Sequence, residues 1–297
     1  MAKIKLLSPA KINLTLGILG KRADGYHEIS SIMQPVDLFD EITVDVCEPE
    51  GNVISISSSG LKVPNNKENL AWRAAELYKE RTGLKSDISI HINKKIPLGS
   101  GLGGGSGNAA AVLVGLNKLT GLLKEKDLLD LAPRAGADVA FFISSITSLA
   151  EGIGERITLL KDFPLYYYVL ICPHLSASTK GVYAEWDKIN TDANGGNYYG
   201  PMKQVPGPDD FRRSGGTLPI YNDRQPAAIS LYPEIDAYIK VFKSMGARNI
   251  QMTGSGSAVF SVFPESKEAA EIYDYLKTSP TFDVYLVKGI KGWHRLI

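Results

Sequence analysis

Pro97-Leu98-Gly99-Ser100-Gly101-Leu102-Gly103-Gly104-Gly105-Ser106-Gly107-Asn108-Ala109-Ala110-Ala111 is the stretch on which the reading of this chain turns. Just before it, Ile88, Ile90 and Ile92 alternate with Ser89, His91 and Asn93, the period-two pattern of a half-buried strand. Just after it, residues 108–119 are rich in Ala and Leu and predict a helix. The order is strand, glycine loop, helix. Six glycines within the nine residues 99–107 cost conformational entropy on folding, so the backbone there is expected to approach something that a Cβ would block. Uncapped amides at a helix start, with the positive end of the helix dipole behind them, favour an anion, and a phosphate is the natural candidate.

Glycine loops of other kinds fit less well. No Lys follows the last glycine, so the G-x-x-x-x-G-K-[ST] phosphate loop is absent. Gly99 to Gly104 does satisfy G-x-G-x-x-G, but a dinucleotide site needs a second apolar strand ending in an acid about 20 residues on. Residues 122–129 hold instead Leu-Leu-Lys-Glu-Lys-Asp-Leu-Leu, a turn and a charged helix start. A flexible linker would not sit tightly between an alternating strand and an Ala-rich helix.

The chain is long enough, at 297 residues, for one large or two ordinary domains. Lys and Arg number 33 against 32 acids, so no global field points to nucleic acid or to a membrane surface. Cys47 and Cys172 stand far apart without metal-ligand spacing, which argues for a reducing compartment and against structural zinc. No signal pattern and no membrane-length apolar run is present, so a cytoplasmic protein is expected.

Within residues 10–19, Lys11, Asn13 and Thr15 alternate with Ala10, Ile12 and Leu14, so a strand puts the three polar groups on one face. Taken alone, that face reads as solvated. The loop that follows ends in Tyr26 and His27, which read either as ordinary loop residues or as a platform for a planar ligand. Further strands are expected over 30–35, 41–46 and 53–57, then a helix over 70–81 with Asn69 at its N-cap. A helix over 127–132 is expected to stop at Pro133. Asp138 then stands alone among apolar neighbours, where it serves as a helix cap, an ion-pair partner or a functional carboxylate. A hairpin is expected around 152–155, and a composition change near 161–164 sets a domain boundary.

In the second half, 165–172 is a strongly apolar strand and 176–186 a helix start carrying Thr179 and Tyr183. Residues 190–219 are dense in Gly, Pro, Asn and Asp and read as a surface excursion or flap. Helix broken at Pro226 and Pro233, strands at 250–252 and 258–263, a helix over 266–278 and a strand over 284–287 complete a ferredoxin-like order.

Together, Ser8-Pro9-Ala10-Lys11-Ile12-Asn13-Leu14, Asp24-Gly25-Tyr26-His27-Glu28, the central loop, Gly136-Ala137-Asp138-Val139, Asn222-Asp223 and Thr253-Gly254-Ser255-Gly256-Ser257 resemble the GHMP kinase family over nearly the whole chain. The resemblance implies an α+β, two-domain fold: a ribosomal S5-like ATP-binding domain over 1–160, a ferredoxin-like domain over 161–297, and a site in the cleft between them. It further implies ATP with Mg²⁺ as cofactors and phosphoryl transfer to a small acceptor alcohol bearing a cytidylyl group. No nucleic acid or membrane takes part, and the protein is expected to be a monomer or weak homodimer.

By the same resemblance the polyphosphate lies along Pro97, Gly99, Gly101, Leu102, Gly103, Gly104 and Gly105, with Ser106 and Asn108 beside it. Asn69 and one of Lys94 and Lys95, with Lys95 preferred, fall on the nucleoside side. Asp138 takes the acceptor proton, and Lys11 orients it and offsets phosphoryl charge. Tyr26 and Tyr183 sandwich the cytosine, His27 reads its edge, and Asn13 and Thr179 stand near the acceptor. No protein ligand to the metal is assigned. The chain departs from the family pattern at Ala140, where Pro is usual, at Gly107, where a second Ser is common, and at Pro133.

Overall fold

The protein is described by a computed structural model covering residues 2–191, 206–214, 217–293 and 295–296. Two antiparallel strands, β1 (Ala2–Asn13) and β2 (Thr15–Lys21), both pair with a long third strand, β3 (His27–Pro49). The segments 30–35 and 41–46, expected as separate strands, are one. Against β1 the register runs Pro9 to Phe39 and then Ala10 to Val36, so one step on β1 spans three on β3. That bulge hides the strand's continuity from period-two counting.

Strand β4 (Ile54–Gly60) leads to helix α1 (Leu70–Thr82) and returns as β5 (Ser86–Lys94), which pairs parallel to β4 and antiparallel to β3. Asn69 caps α1, its Oδ1 accepting from the Ala71 amide at 3.0 Å. The glycine loop opens helix α2 (Gly104–Thr120), which packs against α1 and β1 with its middle, residues 107–116, buried throughout. Helix α3 (Glu125–Ala135) runs past Pro133, contrary to expectation. The turn beyond the proline is closed by the Gly136 amide on the Ala132 carbonyl at 3.1 Å, and burial of Leu131, Ala132 and Ala135 outweighs the missing donor. Short helix α4 (Val139–Ser144) and the hairpin β6 (Ser148–Gly152) and β7 (Arg156–Leu159) complete this half.

The second half begins with β8 (Tyr167–Pro173) and α5 (Thr179–Ile189), followed by α6 (Pro208–Arg213) and the two-residue β9 (Tyr221–Asn222). Then come α7 (Gln225–Leu231), α8 (Glu234–Ser244), β10 (Ile250–Met252), β11 (Val259–Phe263), α9 (Ser266–Leu276), β12 (Phe282–Lys288) and β13 (Arg295–Leu296). Pro226 sits in the first turn of α7 rather than breaking a helix, a position where its missing amide costs little. Much of the expected 190–219 excursion lies outside the described residues; within it, 208–213 form α6.

The second sheet has the order β10-β11-β8-β12, all antiparallel, which is the ferredoxin-like arrangement. Along β8, Val169 and Ile171 face the helices, while Tyr168, Leu170 and Cys172 face Ile12, Leu14, Ile32 and Leu102 of the first half. Burial on both faces explains why this strand reads as an unbroken apolar run. The second half also lends strands to the first sheet: β9 adds parallel to β2, and β13 antiparallel to β1.

One buried ion pair fixes the approach to the glycine loop. Lys94 Nζ lies 2.7 Å from Asp40 Oδ2 and 2.6 Å from the Ile96 carbonyl, and Asp40 Oδ1 accepts from the Lys95 and Ile96 amides at 2.7 and 2.9 Å. Burial pushes the Lys94 ammonium below the ordinary lysine range, and Asp40 opposes the shift. Lys94→Met should therefore cost about 3–5 kcal/mol by stranding the buried carboxylate. Denaturant unfolding reads this, and turnover per folded molecule should change little.

Candidate active site

β1 ends where the two halves meet, and its alternation places Ala10 and Ile12 in the seam between them while turning Lys11 and Asn13 into a cleft of about 860 Å³. The polar face of this strand is not solvated: Lys11 is only 3% exposed, and Asn13 and Thr15 are buried with it. Lys11 Nζ donates to Asn13 Oδ1 and lies 3.8 Å from Asp138 Oδ2. Asn13 is itself held, its Nδ2 donating to Ser31 Oγ at 2.8 Å and its amide to Thr253 Oγ1 at 3.0 Å. A strand of the first half and the loop after β10 of the second thereby fix the direction of one ammonium. Burial pushes Lys11 below the ordinary lysine range, Asp138 opposes that shift and Arg224 adds to it.

Asp138 occupies the N-cap position of α4 yet makes no capping bond to it. Its side chain is 29% exposed and faces the cleft, so the carboxylate is held by Lys11 and open to solvent. Such a group can accept a proton from a ligand hydroxyl. A cap or a purely structural pair would be closed off.

The glycine loop differs in one respect from what its composition suggests. Gly101 has φ of +79°, and a Cβ there would stand 2.3 Å from the Thr253 carbonyl oxygen. At Gly107, the departure from the family pattern, a Cβ would meet Ser8 Oγ at 2.8 Å. The close neighbours that exclude side chains are thus protein atoms, so entropy alone did not identify a ligand. The loop is tied by its carbonyls: Gly99 O accepts from the Ala177 amide at 3.2 Å, Ser100 O from Ala258 at 3.0 Å and Leu102 O from Lys11 at 2.9 Å. With the carbonyls turned into protein, α2 starts at Gly103 without any side-chain cap. Its first-turn amides lack intrahelical acceptors and suit an anion. Gly101, Gly103 and Ser106 line the cleft beside Lys11 and Asp138.

The other expected loop residues lie off that lining. The Leu102 side chain is buried in the seam, the Pro97 carbonyl accepts from Ser100 Oγ at 2.8 Å, and Gly99 and Gly105 are exposed. Gly104 is packed against Lys94 and Ile96, and Asn108 is buried with its Oδ1 unpartnered. Asn69 uses both ends of its amide, on Ala71 N and on the Pro64 carbonyl. Lys95 turns to Glu41 at 2.7 Å and Lys94 to Asp40, so neither lysine reaches the cleft.

At the opposite end, Tyr26, His27, Thr179 and Tyr183 all line the cleft. Tyr26 is 60% exposed. His27 is buried, with Nε2 2.7 Å from Asp187 Oδ1, and its ring stacks on Tyr183 at 4.4 Å between centroids. On the same tyrosine the Arg224 guanidinium carbon lies 4.1 Å from the ring centroid. Asp187 is pushed up by burial, but Lys21 and His27 outweigh this and hold it below the usual carboxylate range. Arg224, Asp187 and Ser31 were not singled out from sequence. Isolated charges and a lone strand serine give no pattern to read, and only their tertiary partners reveal them: His27 and Lys21 for Asp187, Tyr183 and Ser255 for Arg224, and Asn13 for Ser31.

Residues 69–145 match the model of the GHMP kinases N terminal domain and residues 211–280 that of the GHMP kinases C terminal. A relative from Geobacter sp. (strain M21), 4-diphosphocytidyl-2-C-methyl-D-erythritol kinase, is 41% identical over 91% of this chain and 92% of its own. A crystal structure of 4-(cytidine 5'-diphospho)-2C-methyl-D-erythritol kinase superposes with a TM-score of 0.78 at 32% identity, covering 97% of this chain and 100% of that one. Homoserine kinase from Cytophaga hutchinsonii shares the fold, with a TM-score of 0.68 at 20% identity over 100% of this chain and 98% of its own.

Proposed function

The chain belongs to the GHMP kinase family, and on that premise we propose that it phosphorylates the 2-hydroxyl of 4-diphosphocytidyl-2-C-methyl-D-erythritol with ATP, in isoprenoid precursor synthesis. The observation that carries this reading is the convergence of Lys11 and the solvent-open Asp138 on the uncapped start of α2. The names of the similar proteins supply the acceptor.

Phosphoryl transfer asks the protein for position and charge more than for covalent chemistry. In this reading the α2 amides and Ser106 hold the polyphosphate, and Asp138 accepts the hydroxyl proton as the acceptor oxygen attacks the γ-phosphorus and ADP leaves. Lys11 steers the carboxylate and offsets charge on the transferred group. Among the described residues no three His, Cys, Asp or Glu side chains cluster to hold a metal. Ser106 Oγ, on the cleft wall, would help hold Mg²⁺ brought in with the nucleotide, and the ion would supply neutralisation of phosphate charge. Tyr26, His27, Thr179 and Tyr183 form the acceptor end. The two units are 1–160 and 161–297, and the protein acts in the cytoplasm as a monomer or weak homodimer. Among the described residues no helix is long and apolar enough to cross a membrane.

An acceptor panel tests the reading. ADP release should be seen with the cytidylyl acceptor and not with homoserine or mevalonate. Turnover of homoserine alone would replace the substrate, and silence with all three would leave a nucleotide-binding relative.

A further inference from the structure

A buried guanidinium stands in the cleft wall with no acid beside it. Arg224 is 8% exposed and lines the cleft with Lys11 and Asp138. Its backbone is clamped: the Arg224 amide donates to Asn222 Oδ1 at 3.0 Å, and Asn222 Nδ2 donates to the Met252 and Gly254 carbonyls, both at 2.8 Å. Nη1 donates to Ser255 Oγ at 3.0 Å and Nη2 to the Tyr183 hydroxyl, while Nε is buried without any partner. Among the described residues no carboxylate lies within ion-pair distance of it.

Two neutral hydroxyls repay only part of the cost of burying a guanidinium. The other acids on the cleft are committed: Asp24 to Arg22 at 3.0 Å, and Asp187 to Lys21 and His27 at 2.6 and 2.7 Å. That leaves Lys11, Arg224 and the exposed Lys180 against Asp138, two positive charges in excess. The arrangement lacks an anion. Bonds from a guanidinium to a phosphate are charge-assisted and about twice as strong as those to neutral groups, so an arriving oxyanion can displace Ser255 or Tyr183 as a partner.

We propose that Arg224 is a phosphate-binding residue of this cleft, its guanidinium taking an oxyanion of the reactants, either from the acceptor's diphosphate or from the phosphoryl group in transit. The assignment rests on the kinase reading, but its test does not depend on the acceptor being the right one. Arg224→Met and Arg224→Lys are compared with wild type in affinity for cytidine, cytidine 5′-diphosphate, ADP, ATP and inorganic pyrophosphate, and in kcat. If the acceptor's diphosphate is the ligand, Arg224→Met loses about tenfold in cytidine 5′-diphosphate affinity and keeps its cytidine affinity, and the Lys variant recovers part of the loss. If the ligand is the phosphoryl group in transit, the preference for ATP over ADP and kcat fall about tenfold while acceptor binding holds.

Equal loss of cytidine and cytidine 5′-diphosphate binding would mark Arg224 as a prop for Tyr183 and overturn the proposal, as would no change in any ratio. Pyrophosphate carries no base, so its weaker binding to the Met variant supports the anion site even where wild type fails to turn over the cytidylyl acceptor. Unchanged pyrophosphate binding beside normal turnover counts against it. Should the Met variant fail to fold, Arg224→Gln, which also removes the charge, carries the same comparisons.

Discussion

Asp138→Asn should fold with a slightly lowered thermal midpoint, bind ATP normally and turn over the acceptor about 10²–10⁴ times more slowly. The fall is small because the carboxylate caps nothing and its ion pair with Lys11, at 3.8 Å, is partly exposed on the Asp138 side, but the buried ammonium loses its counter-charge. The rate falls because an amide cannot accept the hydroxyl proton. A second signature follows from the electrostatics. Asp138 raises the Lys11 pKa against the lowering by burial, so removing its charge shifts Lys11 further down. The alkaline limb of the residual activity, where Lys11 loses its proton, should then move to lower pH than in wild type. Turnover within a few-fold of wild type would remove Asp138 as the base.

Lys11→Met should lower kcat by about 10²–10³, the scale of a donor aimed at developing charge, with a much smaller effect on acceptor KM. Met keeps the length of the aliphatic stem in a site that is 3% exposed, and it relieves the protein of a desolvated ammonium. Stability should therefore stay level or rise while activity collapses. Steady-state kinetics beside thermal unfolding separates the roles: a fall in midpoint matched by a parallel loss of activity would make Lys11 a structural member of the strand.

Much of the architecture was legible because it is written in local rules. Asn69 reads as a cap and is one, the 148–159 hairpin lies around its glycines, and the order of strands and helices after residue 165 gives the antiparallel second sheet. What escaped depends on contacts distant in sequence. Period-two counting separates the two faces of the strand carrying Lys11, but it cannot say that the polar face meets another half of the protein instead of water. The bulge opposite Pro9 and Ala10 conceals a 23-residue strand, and Pro133 is carried inside a helix by packing that its neighbours in sequence do not show. The glycines are legible as a tight place, yet what they are tight against is distant in sequence, the 253–257 loop at Gly101 and Ser8 at Gly107. Arg224 had no local signal at all.

The addition of β9 and β13 to the first sheet bears on how reactants enter. A hinge needs a waist that few bonds cross, whereas here the backbone of the second half is stitched into the first sheet at Thr15 with Tyr221 and at Lys5 with Leu296. Such a molecule does not open like a jaw. Its reaction vessel stands assembled before either reactant arrives, so access and release pass along the rim formed by Tyr26 and the start of α5, and melting should occur as one event across the full chain.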